Sequence, residues 1–334
     1  MYHQPKKQFS SSARTKSVLT IASGKLFYLN MAVALARSFL LWNGDNDIDF
    51  ILATDIPHAV PNDIQSKIDV LELLPNEYGK GFSPKLHIDQ FSKTDQTLFI
   101  DADCLVVSSL LPVFERFSGY AVATVGDMHS SGEWFGNIAA RCRNFNVSGV
   151  PVFVGSLYYF ERGPTSAAVF ATARSLEIRY DEIGMIRLRH RPNEEPLISL
   201  AMALHHQLPI LDDGSIKADA MHFPSYLDVD VFAGNAYFKN DQRLVFKTSS
   251  LYEARPIIAH LNDSFAEHTP YTREAYRLKK VMADGWPLWS AKLASNLRHT
   301  VPELVLKTIK SILRPIYHRI FGYRSIKKSE RIID

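Results

Sequence analysis

Two aspartates separated by one residue, Asp101 and Asp103, are the residues in this 334-residue sequence whose types and spacing first suggest chemistry. They follow the apolar run Thr97-Leu98-Phe99-Ile100, which is typical of a buried β-strand. In extended backbone both carboxylates point to the same side of the chain, where they need a cation or hydrogen-bond donors. Such hard oxygen ligands favour Mg²⁺ or Mn²⁺, which take substrate phosphates as further ligands. The alternative is a solvated Asp-x-Asp loop, but the apolar residues on both sides favour the metal site.

Alternating strands and helices must position this pair. The sequence predicts strands over residues 17–22, 48–53, 68–74, 97–100, 120–125, 152–160 and 256–259. It predicts helices over residues 29–41, 84–92, 165–180 and 194–206, with Ser83 as the N-cap of the second, and a loop over 127–137. Turn residues indicate a hairpin or meander over 230–248. We therefore expect an α/β fold with a mixed, mostly parallel sheet flanked by helices, and function at the carboxyl ends of its strands.

Composition narrows the class of protein. The hydrophobic share of 46% is enough for a packed core, and only two cysteines, Cys104 and Cys142, are present, which excludes a disulfide framework. The net charge of +3 is too small to indicate nucleic-acid binding. No run of about 18 consecutive apolar residues is present, and the polar, basic N-terminus lacks a signal-peptide pattern. These features predict a cytoplasmic protein with a flexible leader at 1–16.

Around the aspartates the sequence resembles nucleotide-sugar glycosyltransferases of the GT-A fold, and most closely glycosyltransferase family eight. The runs Lys85-Leu86-His87-Ile88-Asp89-Gln90-Phe91 and Thr97-Leu98-Phe99-Ile100-Asp101-Ala102-Asp103-Cys104-Leu105-Val106 carry the resemblance. It implies a GT-A domain over 17–268, followed by a C-terminal helical region over 269–334. It also implies transfer of a hexose from a nucleoside diphosphate sugar, expected to be a UDP-sugar, to a glycan, lipid-linked or small acceptor. Retention of configuration and a divalent metal, usually Mn²⁺, belong to the same expectation.

The resemblance implies site residues, each with a simpler alternative. As metal ligands it implies Asp101, Asp103 and His260, with His222 as a competing candidate. For the donor it implies Ala22, Ser23, Tyr28, Lys85, Asp101, Ala102, Asp103, Gly155 and Ser156. Tyr28 could instead be a core aromatic, Lys85 a solvated helix charge, and His260 a strand-end histidine bonded to backbone.

The chain departs from the family pattern at the Glu194-Glu195 pair and after His260. Glu194 and Glu195 stand where relatives carry an acidic residue followed by glutamine; we assign them as the catalytic pair, with helix capping as the alternative. No lysine follows His260, so Arg273 or Lys25 would have to supply that charge. Trp134 is a candidate for the acceptor site, or else anchors its loop to the core.

The C-terminal residues combine apolar and basic side chains at helical spacing from Val301 onward. This pattern predicts either an amphipathic helix at an anionic membrane surface, which would make the protein peripheral at the inner face of a membrane, or a helix docked on the domain. Pro315 is expected to kink or divide the helix. The oligomeric state is not indicated by the sequence.

Two other functions compete with the glycosyltransferase assignment. A haloacid-dehalogenase-like phosphotransferase also places an Asp-x-Asp at a strand end, although it normally has Thr or Val where Leu105 stands. A GT-A scaffold that binds nucleotide or membrane without turnover would explain the missing lysine.

Overall fold

The computed structural model describes residues 15–223, 225–240 and 251–323. Its strands are β1 (Lys16–Ala22), β2 (Ile48–Thr54), β3 (Asp69–Glu72), β4 (Gln96–Ile100), β5 (Cys104–Val106), β6 (Val122–Ala123), β7 (Gly126–His129), β8 (Val150–Phe153), β9 (Leu157–Glu161), β10 (Lys217–Asp219), β11 (Tyr226–Asp230), β12 (Asn235–Lys239), β13 (Glu253–Ala254) and β14 (Ile258–His260). Its α-helices are α1 (Leu26–Asn43), α2 (Asn62–Gln65), α3 (Ile88–Phe91), α4 (Leu111–Phe117), α5 (Ile138–Phe145), α6 (Pro164–Glu177), α7 (Glu194–Leu204), α8 (Tyr271–Leu278), α9 (Leu288–Ser295) and α10 (Val301–Phe321). The predicted leader lies outside the described residues up to position 14.

A six-stranded sheet in the order β3-β2-β1-β4-β9-β6 forms the centre of the fold. The first four strands are parallel, whereas β9 and β6 are antiparallel to their neighbours. Consecutive residues of β1, β2 and β4 are buried, because helices cover both faces of a parallel sheet. The mixed, mostly parallel sheet flanked by helices is therefore confirmed.

A second, three-stranded sheet in the order β10-β14-β5 meets the first at the Asp-x-Asp turn. Strand β5 follows β4 after only three residues and pairs antiparallel with β14, so that Cys104 lies opposite His260. Strand β10 runs parallel to β14 and places Asp219 opposite His260. The junction between the two sheets thus gathers side chains from three distant parts of the chain.

Several predicted elements differ from the observed ones. Residues 152–160 form two strands, β8 and β9, because the backbone turns at Gly155 and Ser156. Part of the predicted 127–137 loop is strand, since β7 pairs with β8. Ser83 does not cap a helix; its hydroxyl donates to Glu177, and residues 83–87 form a 3₁₀ helix before α3.

The predicted 230–248 meander agrees in part with a third sheet, in the order β11-β12-β13. Its β11–β12 turn has Gly234 in the left-handed region, with φ of 66°, as a tight turn requires. Residues 241–248 of this prediction lie outside the described part of the chain.

Helix α1 is the one helix in the described ranges that is long and apolar enough to span a membrane, by length and composition alone. Most of it is buried against β1, β2 and β5, and its buried Arg37 forms an ion pair of 2.8 Å with Asp63. These contacts are those of a core helix.

Candidate active site

The Asp-x-Asp turn lies at the carboxyl end of β4, as the sequence predicts. The backbone N–H of Asp101 donates to the carbonyl of Ser156 at 2.9 Å, and that of Cys104 donates to the carbonyl of Asp101 at 3.1 Å. These bonds fix the turn against the loop between β8 and β9. The turn opens into a cavity of ≈ 670 Å³, large enough for a nucleotide sugar.

Asp103 and His260 converge on one side of this cavity. The Oδ1 atom of Asp103 lies 3.2 Å from Nε2 of His260, and Oδ1 of Asp219 lies 2.6 Å from Nδ1 of the same ring. Burial alone would lower the pKa of His260, but the charges of Asp103 and Asp219 raise it to about 10. A proton on Nε2 thus occupies the place where a cation would sit between imidazole and carboxylate.

The donor set of this pair fits a divalent cation. A carboxylate oxygen and an imidazole nitrogen face each other, and Asp219 holds the other ring nitrogen, which is the usual support of a metal-bound histidine. The Cys104 sulfur is near enough to join the group, but burial raises the pKa of its thiol well above the usual value and disfavours the thiolate. The competing candidate, His222, lines the same cavity.

Asp101, the other predicted ligand, is held by Lys85. The Lys85 ammonium lies 2.8 Å from Oδ2 of Asp101, 3.0 Å from Oε1 of Glu194, and donates to the carbonyl of Gly155 at 3.0 Å. Burial would lower the pKa of Lys85, but the two carboxylates raise it above its ordinary value. Lys85 is therefore not a solvated helix charge; it ties the Asp-x-Asp turn to helix α7.

Glu194 and Glu195 begin α7 at the cavity wall. The cap of this helix is Asn193, whose side chain accepts from the backbone N–H of Glu195 at 2.7 Å, and both glutamates lie in the first turn, near the positive end of the helix dipole. Glu194 is buried, and its Oε2 atom forms no hydrogen bond within the described residues. Glu195 Oε1 accepts from the backbone N–H of Gly155 at 2.7 Å; burial and the neighbouring charge of Glu194 raise the pKa of Glu195 to about 8.

Gly155 is required where β8 turns into β9. A Cβ atom there would lie 2.5 Å from the Tyr158 hydroxyl and 2.8 Å from Oε1 of Glu194. Ser156, the next residue, donates to Oδ1 of Asp219 at 3.1 Å. Because Gly155 and Ser156 are small, the turn between β8 and β9 lies close to Glu194 and to Asp219.

Lys217 and Asp219 belong to the site and were not predicted. The Lys217 ammonium is 2.8 Å from Oδ2 of Asp219 and 3.2 Å from Oγ of Ser156, and both charged residues are buried. Burial would raise the pKa of Asp219, but Lys217 and His260 lower it. A sequence signal could have identified them: Lys217 and Asp219 are separated by one residue within the otherwise apolar run 216–220. In a strand, residues with this spacing point to the same side.

The cations of the cavity wall differ from those expected. Arg273 instead binds Asp228 and Glu274, at 3.1 and 2.8 Å, and is not among the residues that line the cavity. Lys25 lies beside the Tyr28 ring, also outside the lining set. The lining cations among the described residues are Lys85, Lys217, Arg187 and Arg189.

The remaining donor candidates are Ala22 and Ser23 at the end of β1, Ala102 in the turn after β4, and Tyr28 on α1. Leu19 pairs with Phe99 in the parallel register, which brings Ala22 and Ser23 beside the turn that contains Ala102. Tyr28 is 41% exposed on the first turn of α1, so the core-aromatic alternative is wrong. These four candidates are not among the lining residues of the cavity.

Trp134 anchors its loop and also lines the cavity. Its ring packs edge-on against Phe153, with centroids 5.6 Å apart, and also lines the cavity. Its carbonyl accepts from Arg141 at 3.2 Å, which fixes the loop. Trp134 is therefore both a loop anchor and part of the cavity wall.

No family model and no curated protein matches the chain. Among solved structures, it is similar to the galactosyltransferase LgtC, crystallised with donor and acceptor sugar analogs, with a TM-score of 0.51, 11% identity, and coverage of 80% of this chain and 95% of that one. It is also similar to the bifunctional glycosyltransferase WbbM in its apo form, with a TM-score of 0.51, 12% identity, and coverage of 87% of this chain and 53% of that one. The chain has the GT-A fold. At these identities the similarity concerns the fold alone.

The GT-A fold gives the Asp-x-Asp turn a different setting from that of a haloacid-dehalogenase-like enzyme. In that rival function the first aspartate must be free to attack a phosphorus atom. Here Asp101 is held by Lys85, and Asp103 faces His260, which ends strand β14 of the second sheet. The local geometry thus disfavours the phosphotransferase.

Proposed function

We propose that the protein is a metal-dependent glycosyltransferase that moves a hexose from a nucleoside diphosphate sugar, a UDP-sugar in the first instance, to a hydroxyl of a glycan, lipid-linked or small acceptor. The observation that carries the proposal is the convergence of Asp103 and His260 at the carboxyl edge of the sheet, inside a cavity of ≈ 670 Å³. The fold of the chain, which it has in common with known glycosyltransferases, supports the same reading. The two cysteines are free and buried, which supports a reducing compartment, and we propose the cytoplasm.

Asp103 and His260 would hold Mn²⁺ or Mg²⁺, with Asp101 beside them. The bound ion would supply positive charge to the leaving nucleoside diphosphate. Asp219 keeps the imidazole oriented through Nδ1, and Lys217 in turn holds Asp219. The chain thus provides ligands whose positions are fixed before substrate arrives.

Glu194, Glu195 and Lys85 would receive the donor sugar. The Lys85 ammonium balances the charge of Glu194, whose Oε2 is left for a substrate hydroxyl or for the anomeric carbon. Glu195, protonated below pH 8, offers a neutral hydrogen-bonding group at the place where the resembling family carries glutamine. The donor would therefore meet Glu194, which is paired with Lys85, and a neutral Glu195.

In the transfer, the acceptor hydroxyl oxygen forms a bond to the anomeric carbon on the same face from which the phosphate oxygen departs, as the bond from that carbon to the phosphate oxygen breaks. The nucleoside diphosphate leaves with the electron pair, and the acceptor proton passes to the departing phosphate oxygen. With Glu194 as a nucleophile the same transfer takes two displacements; either route retains configuration. Trp134 stands in the cavity wall where an acceptor sugar could stack.

The experiment is incubation of the full chain with a panel of UDP- and GDP-sugars, with and without Mn²⁺, while nucleotide release and heat of binding are followed. We expect one donor to be hydrolysed or transferred only with metal, and the rate to fall by about 10³ or more in Asp103→Asn. Asp45→Asn, an exposed residue away from the cavity, is the matched control. Binding without release would favour the non-catalytic scaffold, and absence of any nucleotide affinity would refute both functions.

A further inference from the structure

Helix α10 projects a long apolar surface that nothing in the described structure covers. None of its residues is buried, although it contains many large apolar side chains. Ile312 is 63% exposed and Ile320 is 66% exposed. The alternative that this helix docks on the domain is therefore wrong, because docking would bury these side chains.

Helix α10 is attached to the rest of the protein at its first turn and then projects away from it. Its first turn is tied down by Glu303, which accepts from the backbone N–H of Thr269 at 2.9 Å and contacts His268 at 3.2 Å. Beyond this turn the helix continues to Phe321 and passes through Pro315 without being divided, contrary to one of the expected outcomes. A projecting helix of this kind needs a partner for its apolar side.

Seven of the exposed apolar residues share one face, whereas Leu304, Leu306 and Phe321 lie outside it. At about 100° per residue, the seven fall within about a third of the helix circumference. The members of this apolar face are Val301, Val305, Ile309, Ile312, Leu313, Ile316 and Ile320. Exposed apolar side chains also precede it, on α9 and the turn that follows, with Trp289 72% exposed. An aromatic residue of the type that favours a membrane interface is thus exposed on the helix that precedes α10.

The opposite face is basic. Lys307, Lys310 and Arg314 lie on it, while Arg319 lies at the border of the apolar face. Within α10 four Lys and Arg residues stand against one acid, Glu303, whose carboxylate is already engaged with the body of the protein. The helix therefore presents positive charge almost alone.

We propose that α10 lies in the interface of an anionic lipid bilayer, with its apolar face among the acyl chains and its lysines and arginines among the headgroups. Helices that lie in such an interface combine a wide apolar face with a polar face that has few acids and with long cationic side chains that reach the headgroups. Self-association through the apolar face is the competing occupant, but it would leave the basic faces on the outside of the pair and gain nothing from these charges. Charge complementarity favours the lipid surface.

The test is co-sedimentation of the full chain with vesicles of phosphatidylcholine alone and of phosphatidylcholine mixed with phosphatidylglycerol. We expect binding to the mixed vesicles, a fall of about fivefold in the partition coefficient for each cation removed, and weakening by salt. Equal or absent binding to the two kinds of vesicle overturns the proposal.

Variants test each face separately. We expect Ile309→Ser with Ile316→Ser to lower binding about tenfold or more, since each isoleucine removes apolar area from the bilayer. The matched control is Ile178→Ser with Leu74→Ser, two exposed apolar residues outside the helix. Unchanged binding of the α10 variant contradicts the proposal.

The charged face is tested by Lys307→Gln, Lys310→Gln and Arg314→Gln together, with Lys67→Gln, Lys80→Gln and Lys93→Gln as the exposed control. Only the first set should remove the preference for phosphatidylglycerol. Because α10 buries no residue, all variants should unfold at the same temperature as the parent chain. A dimer that the isoleucine variant dissociates, without vesicle binding by the parent chain, would assign the face to a second copy and overturn the lipid proposal.

Discussion

Replacement of Glu195 by glutamine should keep the enzyme active near neutral pH and remove its loss of activity in alkali. One oxygen of Glu195 accepts from the backbone N–H of Gly155, and burial together with Glu194 raises the pKa of Glu195 to about 8. Below that pH the carboxyl is protonated and neutral, as a glutamine side chain is. Above it, a second negative charge would stand beside Glu194 and oppose the negatively charged donor.

The size of the effect follows from the pKa. With a value of about 8, about nine tenths of Glu195 is neutral at pH 7 and about one tenth at pH 9. If the neutral form binds and orients the donor, kcat should fall about tenfold between these pH values. Because the pKa is raised, activity is present below pH 8 and is lost as pH rises through it.

The assay is kcat against pH at saturating donor and Mn²⁺, for the parent chain, Glu195→Gln and the exposed control Glu182→Gln. We expect the parent and the control to lose activity in alkali and Glu195→Gln to retain it, with a kcat at pH 7 within about threefold of the parent. A loss of about 100-fold at pH 7 in Glu195→Gln would refute the reasoning, because it would mean that the ionised carboxylate is needed. Persistence of the alkaline loss in this variant would assign the titration to another group.

Three further predictions follow from the same site. His260 must lose a proton to bind metal, and its pKa is raised to about 10, so Mn²⁺ affinity should rise about tenfold per pH unit near neutrality. Calorimetry in buffers of different ionisation heat should show that one proton is released when the metal binds. Gly155→Ala should lower the free energy of unfolding by about 1–3 kcal/mol in thermal unfolding, because its Cβ would meet atoms at 2.5 and 2.8 Å. Gly163→Ala, whose Cβ meets nothing within 4 Å, should leave the stability nearly unchanged. Equal effects of the two substitutions would contradict the crowding at Gly155. Lys85→Met should lower the free energy of unfolding by about 3 kcal/mol in denaturant, because it leaves Asp101 and Glu194 without their cation. The exposed control Lys93→Met should cost almost nothing. Similar costs for both would show that Lys85 does not link Asp101 to Glu194.

The parts of the fold that the sequence predicts well are those that depend on local patterns. Strand β4 is a continuous apolar run because helices cover both of its faces, and its end is marked by the change to Asp101. The same reasoning places His260 at the end of β14. Residues at strand ends can therefore be located before the structure is known.

The parts that the sequence predicts poorly depend on contacts between distant residues. Lys217 and Asp219 alternate in a strand of only three residues, which predicts that they share one side of the strand, but their role appears only because β10 lies beside β14. Arg273 is a plausible phosphate ligand by its distance from His260 along the chain, but its partners are Asp228 and Glu274. Charge type can be read locally, whereas the direction of a long side chain is decided by tertiary contacts.

The most direct test of the account is the binding of UDP to the full chain, measured by calorimetry with and without Mn²⁺, in the parent and in Asp103→Asn. We predict binding that needs the metal in the parent and is lost in the variant, because Asp103 and His260 together form the metal site. UDP binding of equal strength without metal, or unchanged metal-dependent binding in Asp103→Asn, would contradict it.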